Sequence, residues 1–218
     1  MGKLAGLLLL LVAISSAQAR QSAPKSGAEA AEVLTRARGD KYAPKVDWSA
    51  VPPWRQTDFF GVKAQGQTFI YVVDCSGSMD EGDRLVRAKR EIRRSVGKLR
   101  WPQKFHVIFY NDGPIPLPGG LPRSADAKGK AGLDDWLSLI DAEGPTDPRE
   151  AMSQALALNP DAVFLLTDGE YPEGSAEAIA AKNPKGVPIH CVDMAGRGTK
   201  SLRKIAADSG GEYVARPR

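Results

Sequence analysis

From residue 66 to the end of the chain, apolar runs of strand length alternate with amphipathic stretches of helix length, and this alternation constrains the fold most. The runs TFIYVV, KFHVIFY and AVFLLT are almost continuously apolar, as strands covered on both faces are. Between the first two, residues 83–100 place five apolar side chains on one helical stripe: Leu85, Ala88, Ile92, Val96 and Leu99. The order of strands and helices predicts an α/β fold. We expect a doubly wound, mostly parallel sheet with helices on both faces, formed as a single domain by residues 66–218.

Two stretches between the second and third long apolar runs are less regular. The segment PIPLPGG, residues 114–120, predicts a short edge strand blunted by proline. Residues 125–142 predict one helix, and residues 147–159 predict another, with Pro148 in its first turn.

Three polar loops are expected at the edge where open α/β sheets bind their ligands, beyond the carboxyl ends of the strands. One follows the run TFIYVV, one precedes the helix that contains Pro148, and one follows AVFLL. These loops read DCSGSM, GPTDP and TDGE, and they are rich in carboxylates and hydroxyls. Mg²⁺ prefers about six oxygen ligands and usually keeps some waters. Alcohols neutralise little of its charge, so such a site leaves the ion electrophilic, with a position open for a carboxylate from a partner. The candidate metal ligands are Asp74, Ser76, Ser78, Thr146 and Asp168.

In these three loops and in their order along the chain, residues 66–218 resemble the von Willebrand factor A (vWA) domain and its metal ion-dependent adhesion site. The resemblance implies a Rossmann-like vWA fold in which Ser76, Ser78 and Thr146 hold Mg²⁺ (or Mn²⁺). Asp74 and Asp168 would then act directly or through water. Pro145 stands where many members have glycine. The stretch FFGVKAQGQTFIYVVDCSGSM is also similar to exported bacterial members.

The resemblance implies an exported, metal-dependent protein-binding domain whose metal bridges to an Asp or Glu of a protein partner. A second hypothesis is a structural assembly scaffold of the same fold, whose metal is absent or only stabilising. A third interpretation treats the acid and serines of the first loop as caps of the following helix, but capping does not require Thr146 or Asp168.

Enzymatic alternatives find little support in the sequence. Phosphoryl-transfer enzymes with similar sheets place a second carboxylate two residues after the first, and that position is Ser76. No glycine-rich nucleotide loop follows the first strand. The stretch ADSGGE around Ser209 resembles a serine-protease nucleophile loop but is better explained as a glycine-capped helix end. We therefore expect no catalysis.

The N-terminus has the pattern of a targeting segment. Residues 1–19 combine an early lysine, an apolar run and a small-residue cleavage site, which predicts a signal peptide and export to the periplasm or beyond. An uncleaved membrane anchor is the alternative. Residues 20–65 are interpreted as an N-terminal arm or linker, whose aromatic second half is expected to pack onto the domain.

Two cysteines, Cys75 and Cys191, lie in or beside predicted strands that we do not expect to be neighbours, so we predict two free, buried thiols. Over 218 residues, 42% hydrophobic content suits one globular core. The net charge of +4, without a basic tract interleaved with aromatics, gives no reason to expect nucleic-acid binding. The basic helix 83–100 is interpreted as a solvated face, with contact to an anionic membrane as the alternative.

Overall fold

The structure is a computed structural model that describes residues 46–169 and 171–217. Its nine strands in this part of the chain are β1 (Gln56–Phe59), β2 (Val62–Gln65), β3 (Thr68–Asp74), β4 (Lys104–Tyr110), β5 (Pro114–Pro116), β6 (Arg123–Ser124), β7 (Ala162–Thr167), β8 (Ile189–Asp193) and β9 (Tyr213–Ala215). Its α-helices are α1 (Arg84–Lys98), α2 (Ala127–Lys130), α3 (Leu133–Ser138), α4 (Arg149–Ala157), α5 (Ser175–Ala181) and α6 (Lys200–Ser209). The predicted signal peptide, and the arm as far as residue 45, lie outside the described residues.

Seven strands form the main sheet, in the order β5-β4-β3-β7-β8-β9, with β6 also pairing to β4. Strands β3, β4, β7, β8 and β9 are parallel, whereas β5 and β6 run antiparallel to β4. The chain proceeds from β3 to β4 on one side and later returns to β7 on the other side of β3. This reversal beside β3 is the position at which doubly wound sheets bind ligands. The predicted α/β fold is confirmed.

Apolar side chains of β3 alternate between the two faces of the sheet and join two separate cores. Phe69, Tyr71 and Val73 pack on the side that carries α1 and α3. Ile70 and Val72 pack on the side that carries α4, α5 and α6. Burial on both faces explains why every position between Thr68 and Asp74, the first and last residues of this strand, is apolar.

The region between β4 and β7 differs from the prediction. Residues 125–142 were expected to form one helix, but α2 and α3 are separated at Gly132, whose φ of +72° is left-handed. A left-handed residue breaks the helical hydrogen-bond pattern, and glycine adopts that conformation at low cost. The segment PIPLPGG does contribute the antiparallel edge strand β5.

An unpredicted hairpin, β1 and β2, precedes the main sheet. Phe59 at its turn is fully buried, with its ring centroid 5.1 Å from that of Tyr71 and 5.4 Å from that of Phe164. Val62 and Ala64 are buried in the same core. The described part of the arm therefore packs onto the domain.

Both cysteines are free and buried, as predicted. Cys75 follows β3 and Cys191 lies on β8, and β7 separates these two strands. Burial raises the pKa of the Cys75 thiol to about 12, and the nearby Asp74 and Glu143 carboxylates act in the same direction. Cys75 therefore stays protonated at neutral pH and is a poor nucleophile.

Candidate metal-binding site

The parallel register brings the ends of β3 and β7 together at the reversal point. Val73 pairs with Leu166, so the last residue of β3, Asp74, stands beside Thr167, the last residue of β7. Asp168 follows immediately. Hence the two candidate carboxylates, which are distant in the sequence, emerge from neighbouring strands at one edge of the sheet.

Asp74 is fully buried, and each of its carboxylate oxygens accepts hydrogen bonds. Oδ1 accepts from the backbone N–H of Ser76 at 2.7 Å. Oδ2 accepts from the hydroxyls of Thr146, at 2.9 Å, and Thr167. Burial raises the pKa of Asp74, while the hydrogen bonds from Thr167, Ser76 and Thr146 oppose that rise. These donors orient a carboxylate that would otherwise be costly to bury.

The serines of the first loop form a chain of hydroxyls that leads to the second carboxylate. The Oγ atoms of Ser76 and Ser78 are 3.3 Å apart, and the Ser78 hydroxyl donates to Asp168 Oδ1 at 2.7 Å. Ser76 and Asp168 are buried, whereas Ser78 is exposed. The polar cluster thus extends from the interior of the domain to its surface.

Thr146 reaches the cluster on a loop that is attached to its surroundings at several points. Glu143 donates its N–H to the carbonyl of Cys75 at 2.9 Å, and Gly77 donates to the carbonyl of Gly144 at 3.0 Å. Beyond the threonine, Asp147 donates its N–H to the carbonyl of Asn111 at 2.7 Å. These backbone bonds hold the loop against the loops after β3 and β4.

The structure therefore brings all five predicted residues into one cluster. Their side chains offer only oxygen atoms, two carboxylates and three hydroxyls, which is the donor chemistry that Mg²⁺ and Mn²⁺ prefer. The described residues contain no group of three or more His, Cys, Asp and Glu side chains that could hold a metal.

Two further residues belong to this cluster and were missed in the sequence. Thr167 is fully buried and donates to Asp74, although only its position before Asp168 in TDGE could have indicated this. Arg84, the first residue of α1, donates from Nη1 to Asp168 Oδ2 at 2.5 Å. In the sequence it was one of eight basic residues on a predicted helix face.

Asp193, another buried carboxylate near this edge, has a different role. Its oxygens accept the N–H groups of Ala195, Gly196 and Gly198 and the hydroxyl of Tyr213, at distances of 2.7 to 3.0 Å. Burial acts to raise the pKa of Asp193, but these hydrogen bonds outweigh it and hold the pKa below its usual value. This carboxylate organises the turn after β8.

Most other basic residues of α1 bond to the domain itself. Arg93 pairs with Asp134, and both Arg94 and Lys98 pair with Asp58. These contacts give a structural reason for much of the positive charge on this helix. None of the helices in the described part of the chain has the length and apolar character needed to cross a bilayer.

No family model and no curated protein matches this chain. Several solved structures do match it. A von Willebrand factor type A protein from Catenulispora acidiphila has a TM-score of 0.62 at 20% identity, over 71% of this chain and 40% of its own length. An aerotolerance-related membrane protein from Bacteroides fragilis has a TM-score of 0.54 at 20% identity, over 69% and 91% of the two chains.

Proximal thread matrix protein 1 from the mussel byssus, described with a zinc-occupied metal ion-dependent adhesion site, has a TM-score of 0.55 at 20% identity. The match covers 68% of this chain and 41% of that protein. This chain thus spans well under half the length of two of these three proteins. The likenesses show that the chain has the Rossmann-like vWA fold.

Proposed function

We propose that this protein is an exported binding domain that holds one Mg²⁺ or Mn²⁺ ion and uses it to bind a protein partner, without catalysing a reaction. The observation that carries the proposal is the convergence of two carboxylates and three hydroxyls from three loops at the reversal point of the sheet. Export is inferred from the targeting pattern of residues 1–19.

The hydroxyls of Ser76, Ser78 and Thr146 would ligate the metal, with Asp74 and Asp168 acting directly or through water. When bound, the ion would supply an electrophilic position for a carboxylate. The protein's own residues prepare that position. Thr167 and the Ser76 backbone N–H orient Asp74, and the exposed Ser78 places part of the site where a partner can reach it.

A partner's Asp or Glu fits the remaining coordination position because a carboxylate is a hard, charged oxygen donor. The mussel protein with a zinc-occupied site of the same kind supports metal binding on this fold. It does not identify the ion for this chain. The donor set of alcohols and carboxylates, without thiols or imidazoles, favours Mg²⁺ or Mn²⁺ over zinc.

The metal assignment is tested by calorimetric titration of the purified protein with Mg²⁺ and Mn²⁺. We expect one-to-one binding, and we expect Asp74→Ala with Ser76→Ala to abolish it. The matched control is Asp47→Ala with Ser49→Ala. This exposed pair has the same spacing and also has its serine N–H bonded to the aspartate, at 3.0 Å, but it lies outside the cluster. Undiminished binding by the first double variant would contradict the assignment.

The scaffold hypothesis is separated from the binding hypothesis by a pull-down from an envelope extract, with and without EDTA. Partner capture that disappears with chelator supports the proposed function. Capture at full strength in EDTA, unchanged in the Asp74→Ala, Ser76→Ala variant, would favour the scaffold.

A further inference from the structure

Arg84 introduces a positive charge into the proposed cation site. Its Nη1 atom lies 2.5 Å from Asp168 Oδ2, 3.1 Å from the carbonyl oxygen of Ser78 and 3.2 Å from Glu81 Oε2. The Arg84 side chain is only 17% exposed and that of Asp168 is 0% exposed, so this ion pair lies within the site rather than on the surface.

The position of Arg84 is determined by the backbone. It is the first residue of α1, and Asp83 before it has a left-handed conformation with φ of +56°. The helix start thereby directs the guanidinium back over the loop that contains Ser78. Leu85, which follows, is buried in the core and anchors this turn of the helix.

Arg84 also changes the charge that a divalent ion would meet. The carboxylates of Asp74 and Asp168 together supply two negative charges, and Arg84 cancels one of them. Both oxygens of Asp168 already accept a hydrogen bond, Oδ1 from Ser78 and Oδ2 from Arg84. An ion that uses Asp168, directly or through water, therefore competes with a cation already paired to it. Charges this close interact strongly where solvent is limited.

Glu81 offers the displaced guanidinium another partner. Its side chain is 68% exposed and already lies 3.2 Å from the same nitrogen of Arg84. Arg84 can thus leave Asp168 while keeping an ion pair at the rim of the site.

We propose that Arg84 competes with the divalent ion for the Asp168 carboxylate and so sets the metal affinity of the site. This inference rests on the proposed function and concerns the regulation of the same site. Its consequence is that the domain binds its ion more weakly than its five oxygen ligands alone would allow. Occupancy then depends on the concentration of divalent ions around the protein.

The test compares metal affinities by calorimetry with Mg²⁺ and, separately, Mn²⁺. Arg84→Gln removes the charge, and we expect it to bind either ion about tenfold or more tightly than the wild type, because one charge a few ångströms away changes an ionic equilibrium by that order. Arg84→Lys keeps the charge and should stay within about threefold of the wild type. Arg84→Met provides a second neutral variant in case the glutamine variant does not fold.

The matched control is Arg90→Gln, which makes the same charge change on an exposed residue of the same helix. It should leave the affinity nearly unchanged, since exposed, distant charges are screened. Thermal melting in EDTA checks that each variant is folded.

The outcomes separate this inference from the proposed function. If the wild type binds one ion and neither neutral variant binds more tightly, the competition is disproved while the metal site stands. Weaker binding by the neutral variants would mean that Arg84 positions Asp168 for the metal, which also overturns the inference. If no form of the protein binds either ion, the inference fails together with the proposed function.

Discussion

At the residue scale, two threonine hydroxyls and one backbone N–H hold the Asp74 carboxylate in place. Asp74 is buried with no cationic partner among the contacts described, and its two oxygens are held by a backbone N–H and two threonine hydroxyls. Thr167 is buried behind the site, whereas Thr146 is partly exposed. Since each threonine donates to the same oxygen, Thr146 can be tested for a metal-binding role while Thr167 continues to hold Asp74.

Thr146→Ala should weaken metal binding more than it weakens folding. We expect at least a tenfold loss of Mg²⁺ affinity, because a proposed ligand is removed, but a stability loss of only about 0.5–1.5 kcal/mol for one hydrogen bond. Calorimetry measures the first and urea unfolding in EDTA measures the second. Thr146→Ser keeps the hydroxyl and should retain binding. Unchanged metal affinity in Thr146→Ala would remove this residue from the ligand set.

At the element scale, the hairpin of β1 and β2 acts as part of the core, although it precedes the main sheet. Besides the burial of Phe59, Glu91 of α1 accepts the N–H of Phe60, and Ser95 donates its hydroxyl to the carbonyl of Asp58 at 2.7 Å. Arg216, near the C-terminus, donates from Nε to the carbonyl of Phe60 at 2.9 Å. The hairpin therefore connects α1 to the last residues of the chain.

Phe59→Ala should destabilise the domain by about 3–5 kcal/mol, because it removes a fully buried aromatic ring and leaves a cavity. Urea unfolding measures this change. Trp54→Ala is the control, since Trp54 lies in the same arm but is 49% exposed and should have a small effect. Equal, small effects of both substitutions would show that the hairpin contributes little to the stability of the domain.

At the scale of the whole molecule, two buried histidines make the free energy of unfolding depend on pH. His106 on β4 is 1% exposed, and burial lowers its pKa to about 4, with the charge of Arg123 acting in the same direction. Burial lowers the pKa of His190 on β8 to about 4 as well.

The folded pKa of each histidine lies below the unfolded value of 6.5, so only the unfolded state takes up protons between these values. Above pH 6.5 the histidines are neutral in both states, and their contribution to the free energy of unfolding is fully present. As the pH falls towards 4, the unfolded state takes up protons that the folded state does not, and the free energy of unfolding decreases. The loss is on the order of 3 kcal/mol for each histidine. We expect His106→Leu to lose less stability than the wild type between pH 7 and pH 4.5, as measured by urea unfolding in EDTA. Equal losses would show that His106 titrates normally in the folded protein.

The sequence by itself determined the layered α/β fold, because strand-length apolar runs and amphipathic helices are local patterns. It also indicated the five candidate ligands, since parallel strands present their carboxyl ends at one edge, two of the polar loops follow such strands and the third precedes the helix that contains Pro148. The long predicted strands agree with β3, β4 and β7 to within one residue.

Only the tertiary structure decided the strand order around β3, the packing of the hairpin and the roles of Thr167 and Arg84. Arg84 and Asp168 are 84 residues apart, so no local pattern distinguishes this arginine from the other basic residues of α1. Its role depends on where the helix starts relative to the end of β7. Likewise, the burial of Phe59 depends on the distant rings of Tyr71 and Phe164. Contacts between distant segments become visible only when the chain has folded, because they depend on the packing of whole elements and not on sequence spacing.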